Sequence, residues 1–147
     1  MRPMTRQNPS RQIAFVVLSA ERARAYEPSG VEICISITDP KADSVALSPR
    51  FAAVLRLSFT DIAGPSPYAW DRLFSPDDAR QILRFVDAHV SAERLVVHCT
   101  AGLSRSPAVA LALGELWGHD CTALEEQWPL WNTWVRSELL RLGRHTR

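Results

Sequence analysis

The hydrophobic pattern of the chain alternates between short apolar runs and stretches with helical periodicity. Four runs have the length and the β-branched content of buried strands. They cover residues 13–18, 31–38, 51–59 and 95–98. Five stretches with helical spacing or helix-starting residues separate or follow these runs. They cover residues 20–26, 76–90, 107–117, 125–128 and 131–142. This order predicts an α/β fold, with a mostly parallel central sheet of about four to five strands flanked by helices.

Composition and charge mainly exclude certain partners and classes of protein. Residues 1–10 hold two prolines and two arginines, and we expect a flexible N-terminal extension there, followed by one domain over residues 11–147. The net charge of +1 creates no field that would favour nucleic acid or a membrane surface as a partner. Three cysteines do not make a disulfide framework, and no segment is typical of a signal peptide. We therefore expect a cytoplasmic protein.

The candidate chemistry lies in a run between the predicted strand 95–98 and the next helix. The run is His98-Cys99-Thr100-Ala101-Gly102-Leu103-Ser104-Arg105-Ser106. Ligands of parallel sheets bind beyond the carboxyl ends of the strands, which is where this run is placed. Gly102 permits a tight turn, and backbone N–H groups of residues 100–105 can form an anion nest beside a helix N-terminus. Arg105 can hold two phosphate oxygens at once with its planar fork of donors.

Cys99 is placed at the base of this predicted anion site. The thiolate is the nucleophilic form of cysteine, and helix N-termini and neighbouring cations stabilise that form. The run therefore predicts a nucleophile directly beneath a bound oxyanion.

The run HCTAGLSRS resembles the signature loop of the protein tyrosine phosphatase superfamily, in the form typical of small dual-specificity phosphatases. The segments LRLSFTDI and SELLRLGR are similar to those of small bacterial tyrosine-phosphatase-like proteins. The resemblance spans residues 50–145 and implies the phosphatase fold. It also implies hydrolysis of a phosphomonoester through a cysteinyl-phosphate intermediate, with phosphotyrosine in a protein or peptide as the expected substrate. Another phosphomonoester, or dual specificity, stays open.

The resemblance also implies roles for individual residues. Cys99 would be the nucleophile and Arg105 the phosphate clamp. Ser106 would hydrogen-bond the sulfur and ease its departure in the second step. His98 would hold the loop in place and help to stabilise the thiolate. The implied phosphate-binding residues are Thr100, Ala101, Gly102, Leu103, Ser104 and Arg105.

Phosphatases of this family also use a general acid on a separate loop. This acid protonates the leaving oxygen and then takes a proton from the attacking water. Asp61 is the expected acid, because it ends the third predicted strand and begins a long loop over residues 61–75 that is rich in Gly, Pro and aromatic residues. Asp71 is the alternative, four residues before the predicted helix cap at Ser75. The spacing from Asp61 to Cys99 is longer than is usual in the family.

Two other functions remain open at this stage. A sulfurtransferase or an arsenate reductase also uses a cysteine in an anion-binding loop. A non-catalytic module could bind phosphopeptides with the same loop. No cofactor is expected, and no metal, since the histidines show no metal-ligand spacing. Cys34 and Cys121 are expected to be thiols of the core or of its edge, with a resolving role under oxidation as the alternative.

Overall fold

Within the residues that the structure describes, four parallel strands form one sheet. The structure is a computed structural model and describes residues 11–145, so the predicted extension over residues 1–10 lies outside the described residues. The strands are β1 (Ala14–Ser19), β2 (Glu32–Thr38), β3 (Ala53–Ser58) and β4 (Arg94–Cys99). Their order in the sheet is β1-β4-β2-β3. The predicted α/β fold with a parallel sheet is therefore confirmed, and β4 ends at Cys99 in the interior of the sheet.

Over residues 11–145, five helices follow or separate these strands. They are α1 (Ala20–Ala25), α2 (Pro76–Asp87), α3 (Arg105–Leu116), α4 (Thr122–Gln127) and α5 (Thr133–His145). The start of α2 forms as its sequence predicts. Ser75 Oγ accepts a hydrogen bond from the Asp78 backbone N–H at 3.2 Å, and the Asp78 carboxylate accepts one from the Ser75 N–H at 2.9 Å. This reciprocal pair satisfies two backbone donors at the helix end.

Five predicted helix boundaries are wrong by two or three residues, among them the starts of α3 and α4. Helix α3 begins at Arg105 rather than at Pro107, because the Ser104 carbonyl already accepts a hydrogen bond from the Ala108 N–H at 3.2 Å. Pro107 is tolerated at this place, since N–H groups of the first helical turn have no intrahelical partner. Helix α4 begins at Thr122 rather than at residue 125. The earlier start of α3 places Arg105 in its first turn.

The main core lies between one face of the sheet and the helices α2, α3 and α5. Helix α3 is buried from Arg105 to Gly114 and carries almost only apolar side chains after its first turn. The core side chains of β2 and β4 that pack on this face are Ile33, Ile35, Ile37, Leu95, Val97 and Cys99. Burial of a side chain such as leucine stabilises the fold by about 1.5–3 kcal/mol. The packing therefore fixes both ends of the loop that joins β4 to α3.

The other face of the sheet carries a smaller core. Cys34 and Val96 pack there against Phe51, and the Tyr26 ring stacks on Phe51 with 5.9 Å between the ring centroids. Phe51 belongs to the connection from β2 to β3, residues 39–52, which is irregular. Prolines in this connection lack the N–H that a helix interior needs. On this face, part of the sheet is therefore covered by the loop 39–52. Within residues 11–145, no helix has both the length and the apolar character needed to span a membrane.

Candidate active site

The nucleophile predicted from the sequence lies at the carboxyl end of β4. Cys99 is buried, with 2% of its surface exposed, and its Sγ lies 3.1 Å from the Ser106 Oγ. Ser106 is also fully buried, in the first turn of α3. A hydroxyl at this distance can donate a hydrogen bond to sulfur. The structure therefore brings Cys99 and Ser106 together as the motif predicts.

The loop between Cys99 and Arg105 is held from both sides. The Thr100 carbonyl accepts a hydrogen bond from the Ala20 N–H at 3.1 Å, at the start of α1. The Ser104 carbonyl accepts from the Asn132 N–H at 3.0 Å, just before α5. Ala101 and Leu103 lie between these anchors and are exposed, whereas Gly102 is buried. All the predicted phosphate-binding residues thus belong to one anchored turn around Cys99.

Gly102 is required by the path of this turn. Its φ angle is +75°, in the region that glycine tolerates and side chains rarely adopt. A Cβ at this position would lie only 2.7 Å from the Leu18 carbonyl carbon and from the Ser19 nitrogen. Backbone atoms of β1 therefore leave no room for a side chain there.

We expect Gly102→Ala to lower the free energy of unfolding by about 2 kcal/mol or more, because it combines a left-handed backbone with a clash against backbone atoms. Urea denaturation measures this change. Gly64→Ala is the matched control: a Cβ there would meet no atom within 4 Å, and we expect a change below about 0.5 kcal/mol. Equal stabilities of the two variants would contradict the constraint at Gly102.

Arg105 is a buried cation whose donors are only partly used. Its Nη1 donates to the Asp39 Oδ1 and to the Phe59 carbonyl, each at 2.8 Å, so that both Nη1 hydrogens have acceptors. Its Nη2 donates to the Thr100 Oγ1 at 3.1 Å. Its Nε is buried and has no hydrogen-bond partner in the described part of the chain. A guanidinium has five N–H donors, so Nε–H and one Nη2–H have no acceptor among the described residues.

His98 is buried beneath the same loop and is held at both ring nitrogens. Nε2 lies 2.6 Å from the Ser36 Oγ, and Nδ1 lies 3.3 Å from the Cys99 carbonyl oxygen. A carbonyl can only accept, so Nδ1 donates and a neutral ring accepts from the Ser36 hydroxyl at Nε2. Burial lowers the pKa of His98, and the positive charge of Arg56 adds to this effect. A neutral His98 adds no positive charge beside the Cys99 sulfur. Its two ring contacts favour the predicted role of holding the loop in place.

The two candidate acids differ in what they contact. Asp61 Oδ1 accepts hydrogen bonds from the Ser104 Oγ and from the Asn132 Nδ2, both at 2.8 Å. Asp61 is therefore attached directly to the loop from Cys99 to Arg105, which we call the phosphate loop because its sequence predicts phosphate binding. The Asp71 carboxylate instead accepts from the Ser66 Oγ at 2.5 Å, within its own loop. The geometry thus supports Asp61 over Asp71 as the residue that serves this site.

The sequence as such matches no family model and no curated protein. The fold is nevertheless found among solved structures. Human DUSP28 superposes with a TM-score of 0.62 at 20% identity, over 95% of each chain. The active form of Tk-PTP gives a TM-score of 0.56 at 19% identity, over 92% of this chain and 93% of Tk-PTP. The chain has the protein tyrosine phosphatase fold.

This fold also occurs in a similar protein whose name describes it as phosphatase-like. Human tyrosine phosphatase-like serine/threonine/tyrosine-interacting protein superposes with a TM-score of 0.50 at 17% identity, over 80% of this chain and 76% of its own. The resemblance expected from HCTAGLSRS is therefore confirmed for the phosphatase fold. A shared fold does not fix function, which depends on the residues of the site.

The sequence prediction missed two residues at the site. Asp39 directly follows the predicted strand 31–38 and was not singled out, yet its carboxylate pairs with Arg105. Asn132 was not singled out, yet it contacts both the phosphate loop and Asp61. The only available signal was that Asp39 follows a predicted buried strand, where the carboxyl ends of parallel strands gather. Because β2 and β4 are neighbours in the sheet, Asp39 and Cys99 lie at the same edge.

The remaining cysteines lie away from the Cys99 thiol. Cys34 packs with Val96 on the opposite face of the sheet, whereas Cys99 belongs to the main core. Burial raises the pKa of Cys34 to about 12 and also raises that of Cys121. The place of Cys34 on the opposite face does not favour a resolving role for this thiol. Among residues 11–145, no three His, Cys, Asp or Glu side chains are grouped so that they could hold a metal ion.

Proposed function

We propose that this protein hydrolyses phosphomonoesters through a cysteinyl-phosphate intermediate, with phosphotyrosine in proteins or peptides as the substrate class. The observation that carries the proposal is the unpaired, buried Nε of Arg105. A buried donor without a partner is costly, and an oxyanion bound beside Cys99 would satisfy it. Both Nη1 hydrogens already bind Asp39 and the Phe59 carbonyl, which orients the guanidinium for this purpose.

The first step transfers the phosphoryl group to sulfur. The Cys99 thiolate attacks phosphorus, the P–O bond to the alcohol or phenol breaks, and Asp61 donates a proton to the leaving oxygen. Arg105 and the backbone N–H groups of the loop hold the remaining phosphoryl oxygens. They stabilise the charge that these oxygens carry in the transition state, so that catalysis rests on positioned donors.

The second step returns the enzyme to its initial state. Water attacks phosphorus, the Asp61 carboxylate takes a proton from that water, and the S–P bond breaks to release inorganic phosphate. The Ser106 hydroxyl, 3.1 Å from the sulfur, stabilises the departing Cys99 thiolate. Over both steps one phosphomonoester and one water give one alcohol or phenol and one phosphate.

The neutral side chains between Cys99 and Arg105 support a substrate with a single phosphate group over a highly charged one. Residues 100–104, between Cys99 and Arg105, are all neutral, and Leu103 is 53% exposed. Tyr68 and Trp70 stack at 4.7 Å between ring centroids and are exposed in the loop that begins at Asp61. An inositol phosphate with several phosphate groups would find no charged side chain among residues 100–104. A phosphotyrosine peptide fits the chemistry better.

We expect Asp61→Asn to lower kcat for phenyl phosphate by about 10²–10⁴-fold, because the variant has no proton for the leaving phenolate. The loss should be smaller with p-nitrophenyl phosphate, whose leaving group needs less protonation. Steady-state kinetics with both substrates measures this difference. Asp71→Asn is the matched control in the same loop, and we expect it to keep wild-type activity. Loss in Asp71→Asn with full activity in Asp61→Asn would move the acid to Asp71.

A non-catalytic phosphopeptide-binding module is the second candidate. It is favoured by the shared fold with the phosphatase-like interacting protein described above. Calorimetry with a phosphotyrosine peptide and a phosphate-release assay on the same samples separate the two. Binding by the wild type without any phosphate release would establish the module and contradict hydrolysis. Sulfur transfer from thiosulfate to cyanide without phosphatase activity would instead favour a sulfurtransferase.

A further inference from the structure

Asn132 joins three parts of the protein. It is buried, with 5% of its surface exposed, and lies immediately before α5. Its backbone N–H donates to the Ser104 carbonyl of the phosphate loop at 3.0 Å. Its side chain contacts Asp61, the carbonyl of Ile62 and the backbone N–H of Val135. One residue thus connects the loop of the candidate acid, through its side chain, with the phosphate loop, through its backbone, and with a core helix.

The orientation of the Asn132 amide follows from its partners. The Val135 N–H can only donate, at 2.9 Å, so the amide oxygen faces α5. The Nδ2 group therefore faces the other way. It donates to the Asp61 Oδ1 at 2.8 Å and to the Ile62 carbonyl at 3.0 Å, which uses both of its hydrogens. No alternative amide orientation satisfies all three contacts.

The two oxygens of Asp61 are consequently not equivalent. Oδ1 accepts from Asn132 and also from the Ser104 hydroxyl at 2.8 Å. Oδ2 accepts no hydrogen bond from any residue between 11 and 145 in this structure. An oxygen that already accepts two donors is a poor place for a proton, so a protonated Asp61 carries its proton on Oδ2.

We propose that Asn132 is a positioning residue which, together with Ser104, holds Asp61 so that Oδ2 is the oxygen that transfers the proton. This inference rests on the proposed function and adds to it the residues that aim the acid. Both donors are themselves fixed, Asn132 by α5 and Ser104 by its place at the start of α3. The acid is thereby tied to the phosphate loop rather than to the exposed remainder of its own loop.

A purely structural role of Asn132 is the competing explanation, because its side chain also caps α5. The variant Asn132→Ser separates the two roles. Serine is a good N-cap residue and keeps an acceptor for the Val135 N–H, but it is too short to reach Asp61. Ser104→Ala removes the second donor, and the Ser104 side chain makes no capping hydrogen bond to α3. Both variants therefore remove contacts to Asp61 while they keep the helix ends.

The test compares kcat for phenyl phosphate and p-nitrophenyl phosphate in the wild type, Asn132→Ser and Ser104→Ala, each also combined with Asp61→Asn. We expect each single variant to lower kcat for phenyl phosphate on the order of tenfold to a hundredfold, with a smaller loss for p-nitrophenyl phosphate. In the Asp61→Asn background, Asn132→Ser should cause no further loss. Equal losses with both substrates, or the same loss without Asp61, would overturn the proposal.

A spectroscopic measurement keeps this test separate from the proposed function. In the wild type, the side-chain NH₂ signals of Asn132 should shift with pH as Asp61 titrates, and this shift should vanish in Asp61→Asn. If the wild type hydrolyses no aryl phosphate, the proposed function fails while this measurement still reports on the contact. If the signals do not respond to Asp61, the positioning role fails even in an active phosphatase.

Discussion

The variant Cys99→Ser is expected to lose hydrolysis of p-nitrophenyl phosphate almost completely, with kcat lower by about 10⁴-fold or more. A serine hydroxyl is not ionised near neutral pH, and the neighbour of the Cys99 sulfur is the Ser106 hydroxyl, which is no base. The replacement would therefore leave a weak nucleophile beneath an intact oxyanion site. Binding of a phosphotyrosine peptide should persist, and calorimetry measures it beside the kinetics.

Cys121→Ser is the matched control for this variant. The Cys121 thiol is half-buried and lies 3.7 Å from the carbonyl oxygens of Leu111 and His119, which a hydroxyl can also bind. We expect this control to keep wild-type kcat. Full activity of Cys99→Ser would refute the covalent mechanism, whereas an equal loss in both variants would indicate damage to the fold.

The variant Arg105→Lys is expected to show the second largest effect, with kcat/KM lower by about 10²–10³-fold. A lysine ammonium is a point charge and cannot present two parallel donors to phosphate. It also cannot serve Asp39, the Phe59 carbonyl and Thr100 at the same time. We therefore also expect the affinity for inorganic phosphate to fall, and the free energy of unfolding to drop by about 1–3 kcal/mol.

Kinetics, phosphate calorimetry and urea denaturation measure these three changes. Arg141→Lys is the matched control, since Arg141 is exposed on α5 and forms a surface salt bridge with Glu138. It should change none of the three quantities. If Arg105→Lys bound phosphate as tightly as the wild type, the Nε–Nη2 edge could not be the anion site.

The elements of the fold were predictable from sequence because they are local. Strand β4 and the capped start of α2 depend on periodicity and on neighbouring residues such as Ser75 and Pro76. The phosphate loop was predictable for the same reason, since His98 to Ser106 is one continuous run. Residues within one continuous loop stay close to one another in any fold.

The partners of that loop were not predictable, because they are distant in sequence. Asp39 and Arg105 are 66 residues apart, and Asn132 and Asp61 are 71 residues apart. Their contacts depend on the strand order β1-β4-β2-β3, which places the ends of β2 and β4 side by side. Hydrophobic periodicity does not encode that order. Asp39 therefore had the sequence features of a turn residue, and Asn132 had none that set it apart from a helix cap.

The choice between the two candidate acids depends on both the sequence and the structure. The position after the third strand indicated Asp61, and a rival at Asp71 stayed open because both lie in one loop. The hydrogen bonds of Asp61 to Ser104 and Asn132 favour the first candidate. The bond of Asp71 to Ser66 explains the second as local structure.

The most direct test of the central claim is to locate the phosphoryl group during turnover. Ser106→Ala should slow the second step, because the departing sulfur loses the hydroxyl at 3.1 Å, and the intermediate should then accumulate. Acid quenching of this variant with p-nitrophenyl phosphate, followed by tandem mass spectrometry, identifies the modified residue. The account predicts a phosphoryl group on Cys99 and on no other residue. Turnover with an unmodified Cys99, or with the phosphoryl group on another side chain, would contradict it.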